Sequence, residues 1–212
     1  RCLPRGPPRR LPGFHRCFLP VSFAHTMTDT LATRAGPRIV RVALDARGYD
    51  IQIGTGLLED NPALAALVRG RSVAVVSNDV VAPLHRARLA RSLAGAAAVI
   101  DVVLRDGEAH KDQASLDRIL DAMLAARFDR DSLVVALGGG VVGDVAGFAA
   151  AIYQRGIGCV QVPTTLLSMV DSSVGGKTAI NHRLGKNMVG AFHQPRLVVA
   201  DIDTLATLPA RE

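Results

Sequence analysis

Two hydrophobic periods divide this chain. Residues 38–44 (RIVRVAL) and 49–54 (YDIQIG) alternate apolar and polar positions around Gly48, and predict a β-hairpin. From residue 73 onward, short β-branched runs are spaced by longer helical stretches. Residues 73–77 (VAVVS), 98–104 (AVIDVVL), 133–137 (LVVAL), 158–163 (GCVQVP) and 197–201 (LVVAD) read as buried strands. Residues 80–94, 112–128 and 145–153 read as helices. In the second helix Leu116, Ile119, Leu120, Met123 and Leu124 recur at i, i+3, i+4, i+7 and i+8, and Asp112 or Ser115 can cap its start. Residues 165–170 also read as helical, and Pro209 suits the first turn of a further helix at the end. The alternation predicts an α/β fold: a Rossmann-like, doubly wound parallel sheet with an N-terminal β-hairpin.

Composition narrows the core. Aromatic residues are 4% of the chain and Trp is absent, so Ala, Val, Leu and Ile must fill the interior. No apolar run is long enough to span a bilayer, so no membrane partner is expected. The formal charge of +6 would suggest nucleic acid if it formed a face. Instead, Arg1, Arg5, Arg9, Arg10 and Arg16 supply five of the six net charges within residues 1–26, which hold no acid. That Pro- and Arg-rich segment reads as a tail, either a transit peptide or sequence upstream of a start at Met27. A nucleic-acid partner is therefore not expected. Cys2 and Cys17 fall in the tail, leaving Cys159 alone in the body. No disulfide framework or zinc cluster follows, which suits a reducing, cytoplasmic setting.

Chemistry concentrates in glycine and lysine motifs. The chain has 22 Arg and 3 Lys: Lys111, Lys177 and Lys186, in 106-DGEAHK-111, 175-GGK-177 and 185-GKN-187. All three stretches read as loops. Where Arg is the default surface cation, a retained Lys suggests a need for a compact, tunable ammonium, and hence a phosphate- or carboxylate-bearing substrate. Gly176-Lys177-Thr178 resembles the end of a P-loop, but the first glycine of that motif would fall at Asp171, and no strand precedes it. Gly138, Gly140 and Gly143 fit Gly-x-Gly-x-x-Gly after a strand, a phosphate cradle at a helix start. The acid expected about 20 residues later is missing from 158–163, and Asp144 follows the last glycine instead.

The runs GGGVVGDVAGFAAAIYQRG, QVPTTLLSMVDSSVGGKTAIN and LGKNMVGAFHQP, with DGEAHK and LPARE, closely resemble the 3-dehydroquinate synthase family from about Ser77 to Glu212. The resemblance implies a sugar-phosphate cyclase that converts 3-deoxy-D-arabino-heptulosonate 7-phosphate to 3-dehydroquinate and phosphate in the shikimate pathway. It also implies bound NAD, a divalent metal (Zn2+ or Co2+), and possible homodimers. By motif, Asp106, Gly107, Glu108 and Lys111 flank NAD, with Glu108 on a ribose hydroxyl. Gly139, Gly140, Val141, Val142, Gly143 and Asp144 hold the pyrophosphate. Thr164, Thr165, Thr204, Leu205 and Thr207 complete the cofactor site. Lys111, Asp171, Lys177, Lys186 and Asn187 serve catalysis, Lys177 and Lys186 straddling cofactor and substrate, and Arg155 reaches the substrate phosphate.

The sequence departs from the pattern at Asn78, where many relatives carry an acid, and at Arg183, where proline is common. The family's metal ligands, one Glu and two His, would lie beyond residue 212. Among His110, His182 and His193 no ligand spacing is apparent, so no metal residue is assigned and no zinc is expected on this polypeptide alone. The expected organisation is a tail (1–26), an NAD-binding α/β domain (27–203) and the start of a mostly missing helical, metal-binding domain (204–212). A related cyclase, a glycerol-dehydrogenase-like enzyme, or an inactive NAD-binding fragment remain alternatives.

Overall fold

The computed structural model describes residues 36–209. Expectations for the tail, for Met27, Cys2 and Cys17, and for residues 210–212 lie outside them. Nine strands and four α-helices are found among the described residues. The strands are β1 (Arg38–Val42), β2 (Tyr49–Gly54), β3 (Ser72–Asn78), β4 (Ala98–Leu104), β5 (Leu133–Gly138), β6 (Gly158–Pro163), β7 (Lys177–His182), β8 (Gly185–Phe192) and β9 (Leu197–Asp201). The helices are α1 (Pro62–Val68), α2 (Val81–Leu89), α3 (Gln113–Ala125) and α4 (Gly140–Ile152).

Seven strands form one sheet in the order β1-β2-β9-β6-β5-β3-β4. The β1–β2 hairpin supplies an antiparallel edge, and every other pairing is parallel. Alternate residues of each strand feed opposite faces. Val73, Val75, Leu133, Val135 and Val160 pack under Leu64 and Val68 of α1 and Leu89 of α2. Ala74, Val76, Val134 and Ala136 pack under Leu116, Ile119 and Met123 of α3 and the small residues of α4. Helices on both faces make the sheet doubly wound, as the alternation predicts. No helix among the described residues is long and apolar enough to cross a membrane.

Five details differ from the sequence reading. Helix α1 was not foreseen, although Asn61 accepts from Leu64 N–H at 2.9 Å and Pro62 opens the helix, an Asn-Pro start signal. Helix α4 begins at Gly140, so the glycine run is its first turn rather than a turn before it. The lysine segments at 175–187 fold as a second antiparallel hairpin, β7–β8, which bears Lys177 and Lys186 on strands rather than loops. The expected helix at 165–170 becomes a π-helical turn at Ser168–Ser172, and a 3-10 helix (Ile202–Thr207) precedes Pro209. Leu124, assigned to the apolar stripe of α3, is 60% exposed at its edge.

The β7–β8 hairpin can lie against α4 because α4 is small there. A Cβ at Gly147 would stand 2.5 Å from Thr178 Cγ2. Asp201, fully buried at the end of β9, ties the sheet to the loop after β2. Its carboxylate accepts from the N–H groups of Gly56 (3.1 Å) and Leu58 (3.0 Å) and from Arg88 (3.3 Å).

Candidate functional site: a crevice and a lysine-bearing cavity joined by one helix

Strand β3 leads into α2 on one face of the sheet, while its neighbour β5 leads into α4 on the other. Their carboxyl ends therefore diverge and leave a crevice, the place where open α/β sheets take ligands. A cavity of about 370 Å³ occupies it, lined by Asn78, Asp106, Gly139, Gly140, Thr164 and Thr207 among others. The first N–H groups of α4 open there. Gly139 is the N-cap, with extended backbone and no side chain to fill the space. None of Gly138, Gly139, Gly140 and Gly143 has a positive φ, so the glycines serve close approach rather than a strained turn. At Gly140 a Cβ would stand 2.9 Å from Ser172 Oγ.

The acid missing from the usual spacing comes from another strand. Asp106 follows β4, which lies beside β3. Asn78 Nδ2 donates to Asp106 Oδ1 at 2.6 Å, while Asn78 Oδ1 accepts from Val81 N–H at 2.7 Å at the start of α2. The Asp106 N–H is in turn held by Asp79 Oδ1 at 3.0 Å. Asn78 thus orients a carboxylate in the crevice. His85 and Thr164 also line this cavity, and His85 Nδ1 and Thr164 Oγ1 are buried without a hydrogen-bond partner. Burial, then the nearby Arg88, hold His85 below its ordinary value near 6.5, with Asp201 opposing them.

A second cavity, about 470 Å³, is lined by Asp144, Asp171, Ser172, Lys177, Asn187 and Phe192 among others. Behind its wall Lys111 is buried, and its Nζ donates to Asp144 Oδ2 and to Asn187 Oδ1, each at 2.5 Å. Asn187 has a left-handed backbone (φ 55°), fixed by its N–H bond to Asn181 Oδ1 at 2.9 Å. Burial is the main cause that pushes the Asp144 carboxyl above its ordinary range, and Lys111 pulls it back. Lys177 makes no ion pair among the described residues and faces this space as the available cation. Helix α4 joins the two cavities: its start opens on the crevice, and Asp144, one turn on, lines the second space.

The structure gathers Asp106, Gly107, Gly139, Gly140, Val141, Val142, Thr164, Thr165 and Thr207 at the crevice. It gathers Asp144, Asp171, Lys177 and Asn187 at the second cavity, with Lys111 supporting Asp144 and Asn187. The other expected residues lie elsewhere. Glu108 accepts from Asn181 Nδ2 at 2.8 Å and lies 3.9 Å from Lys186 Nζ, both in a shallow outer hollow. Gly143 packs under Gln161, whose Nε2 donates to its carbonyl at 3.1 Å. Thr204 is buried and donates to the Asp201 carbonyl, and Leu205 accepts from Leu208 N–H. Left-handed backbone at Gln154, Arg155 and Gly156 turns Arg155 to the amino ends of the strands, beside Arg47, Arg130 and Arg196. Of the histidines, His182 accepts from Leu184 N–H and His193 bonds to the Ile157 carbonyl. Among the described residues no three His, Cys, Asp or Glu side chains converge on a metal position. His85, Ser172 and the orienting role of Asn78 were not foreseen; Val81-Leu84-His85 at i, i+3, i+4 was the available signal for the first.

Fold and site define a Rossmann-like α/β protein with a helix-start crevice beside a cavity that carries Lys177 with Asp144 and Asp171. A family model described as 3-dehydroquinate synthase N-terminal matches residues 101–212. The 3-dehydroquinate synthase of Pseudomonas fluorescens (strain SBW25) is 61% identical over 173 residues, 82% of this chain and 47% of that protein. A crystal structure of 2-deoxy-scyllo-inosose synthase complexed with carbaglucose-6-phosphate, NAD+ and Co2+ aligns with TM-score 0.75 and 29% identity, over 82% of this chain and 48% of that one. The 2-epi-5-epi-valiolone synthase from Streptomyces hygroscopicus subsp. jinggangensis 5008, with NAD+ and Zn2+ bound, aligns with TM-score 0.71 and 37% identity, over 80% and 47%. The chain belongs to the 3-dehydroquinate synthase family. It spans about half the length of the curated relatives it matches.

Proposed function

We propose that this chain is the cofactor-binding part of a 3-dehydroquinate synthase that converts 3-deoxy-D-arabino-heptulosonate 7-phosphate to 3-dehydroquinate and phosphate. The observation that carries the reading is α4, whose open start and Asp144 serve two adjoining cavities, one for a diphosphate and one for an anionic sugar. The crevice fits NAD. The free N–H groups at Gly140, Val141 and Val142 meet the pyrophosphate, the unpartnered Thr164 hydroxyl adds a donor, and Asp106 accepts from a ribose hydroxyl. Bound NAD supplies a reversible hydride acceptor.

In the second cavity Lys177 pairs with the anionic groups of the sugar phosphate, and its charge stabilises oxyanion character as the neighbouring C–H becomes acidic. Asn187 and Asp144, both fixed by Lys111, orient the substrate hydroxyls. Among the described residues no metal-ligand set is assembled.

The test uses the protein that carries this sequence. Asp106→Ala should weaken NAD binding about tenfold by calorimetry, the loss of one charged hydrogen bond. Lys177→Met should lower phosphate release from the heptulosonate phosphate by about 100-fold or more. Release from the variant within threefold of the parent overturns the role of Lys177. Release by the parent from a hexose phosphate, and none from the heptulosonate phosphate, favours a related cyclase.

A further inference from the structure

The crevice has an apolar section that the dinucleotide reading leaves without a named reader. Helix α2 contributes Val81, Leu84 and His85 from one face, and Thr207, Leu208 and Pro209 stand across from them. One hydrogen bond spans the section, His85 Nε2 to Thr207 Oγ1 at 3.0 Å. Its direction follows from proton counting. A hydroxyl has one hydrogen, and Thr207 Oγ1 donates it to the Thr204 carbonyl at 2.8 Å. Thr207 must therefore accept, and His85 Nε2 carries the proton. The ring is 2% exposed and its charged form is disfavoured, so the second nitrogen, Nδ1, is a bare acceptor. That nitrogen has no partner, and Thr164 Oγ1 in the same cavity also has none. Two orphaned polar atoms in the walls of one cavity, at residues nine-tenths buried or more, mark a site built for a polar ligand.

We propose that His85 determines base specificity in the crevice, its Nδ1 accepting a hydrogen bond from the exocyclic amine of an adenine held between Val81 and Leu84 on one side and Leu208 on the other. This rests on the dinucleotide reading above. Leu84, 48% exposed, gives way as the base seats. A base with a carbonyl at that position sets acceptor against acceptor and is rejected.

The test compares NAD+ with nicotinamide hypoxanthine dinucleotide, in which a carbonyl replaces the adenine amine. Calorimetry on the protein that carries this sequence should show NAD+ binding about tenfold tighter or more. In His85→Phe the two affinities should come within about twofold, and in His85→Gln, which keeps an acceptor, part of the preference should return. Equal binding of both dinucleotides by the parent overturns the proposal, as does a preference that survives in His85→Phe. If neither dinucleotide binds the parent, the dinucleotide reading falls and this proposal falls with it. Should His85→Phe not fold, the parent's ratio and the His85→Gln ratio carry the test.

Discussion

Lys111 lines neither the crevice nor the cavity that holds Lys177, yet it holds together two residues that line the latter. Its removal leaves a buried carboxylate without its cation. Burial already raises the Asp144 carboxyl above its ordinary 3.8, and losing Lys111 raises it further. A raised folded value means that stability from this group is full at low pH and declines as pH rises through that value. Lys111→Met should therefore cost about 3 kcal/mol near neutral pH and distinctly less near pH 5, read from urea midpoints. An equal cost at both values would detach Asp144 from Lys111. The rarity of lysine in the sequence pointed to all three positions, but could not rank them. Burial distinguishes Lys111, locked in the wall, from Lys177, open to the cavity, and from Lys186, which is 77% exposed beside Glu108. The crevice acid was legible only through the family motif, because strand order rather than sequence spacing brings Asp106 beside Asn78.

At the scale of elements, α4 depends on what it lacks. Gly147 brings the helix against Thr178 of β7, and Gly143 brings it against Gln161 of β6. Gly147→Ala should cost about 2 kcal/mol in chemical unfolding, since its Cβ would meet Thr178 Cγ2 at 2.5 Å. Adding Thr178→Ser, which deletes that methyl, should recover more than half. No recovery would mean that α4 and β7 relax apart freely. The strands and helices with clean periods, β3 to β6 and α3, could be read directly. The β7–β8 hairpin could not, because its residues face α4 on one side and open space on the other, and its glycines look like loop punctuation. Gly190, which faces β7 across the pair, is there because the strands approach closely, not because the chain turns.

At the scale of the whole molecule, Asp201 links the last strand of the sheet to the loop after β2. Asp201→Ala orphans the N–H group of Leu58, leaves that of Gly56 to Asp203 alone and removes a partner of Arg88, and should cost about 3 kcal/mol by thermal or chemical denaturation. Asp203→Ala, which removes a more exposed acceptor of the same Gly56 N–H at 2.9 Å, should cost less than about 1 kcal/mol. Similar losses in both would place the clasp in the loop rather than in Asp201. The parallel sheet and its hairpin edge were legible from alternation alone. The order of strands was not, since nothing local says that β9 inserts between β2 and β6.

That insertion governs how the chain comes into being. Residues 50–54 of β2 find their parallel partners only at 197–201. Throughout synthesis, the inner edge of the hairpin waits unpaired while almost the whole intervening chain is made. Closing a sheet across so long a separation is slow, and an unpaired edge invites other chains. The nascent polypeptide thus depends on what shields that edge until β9 emerges.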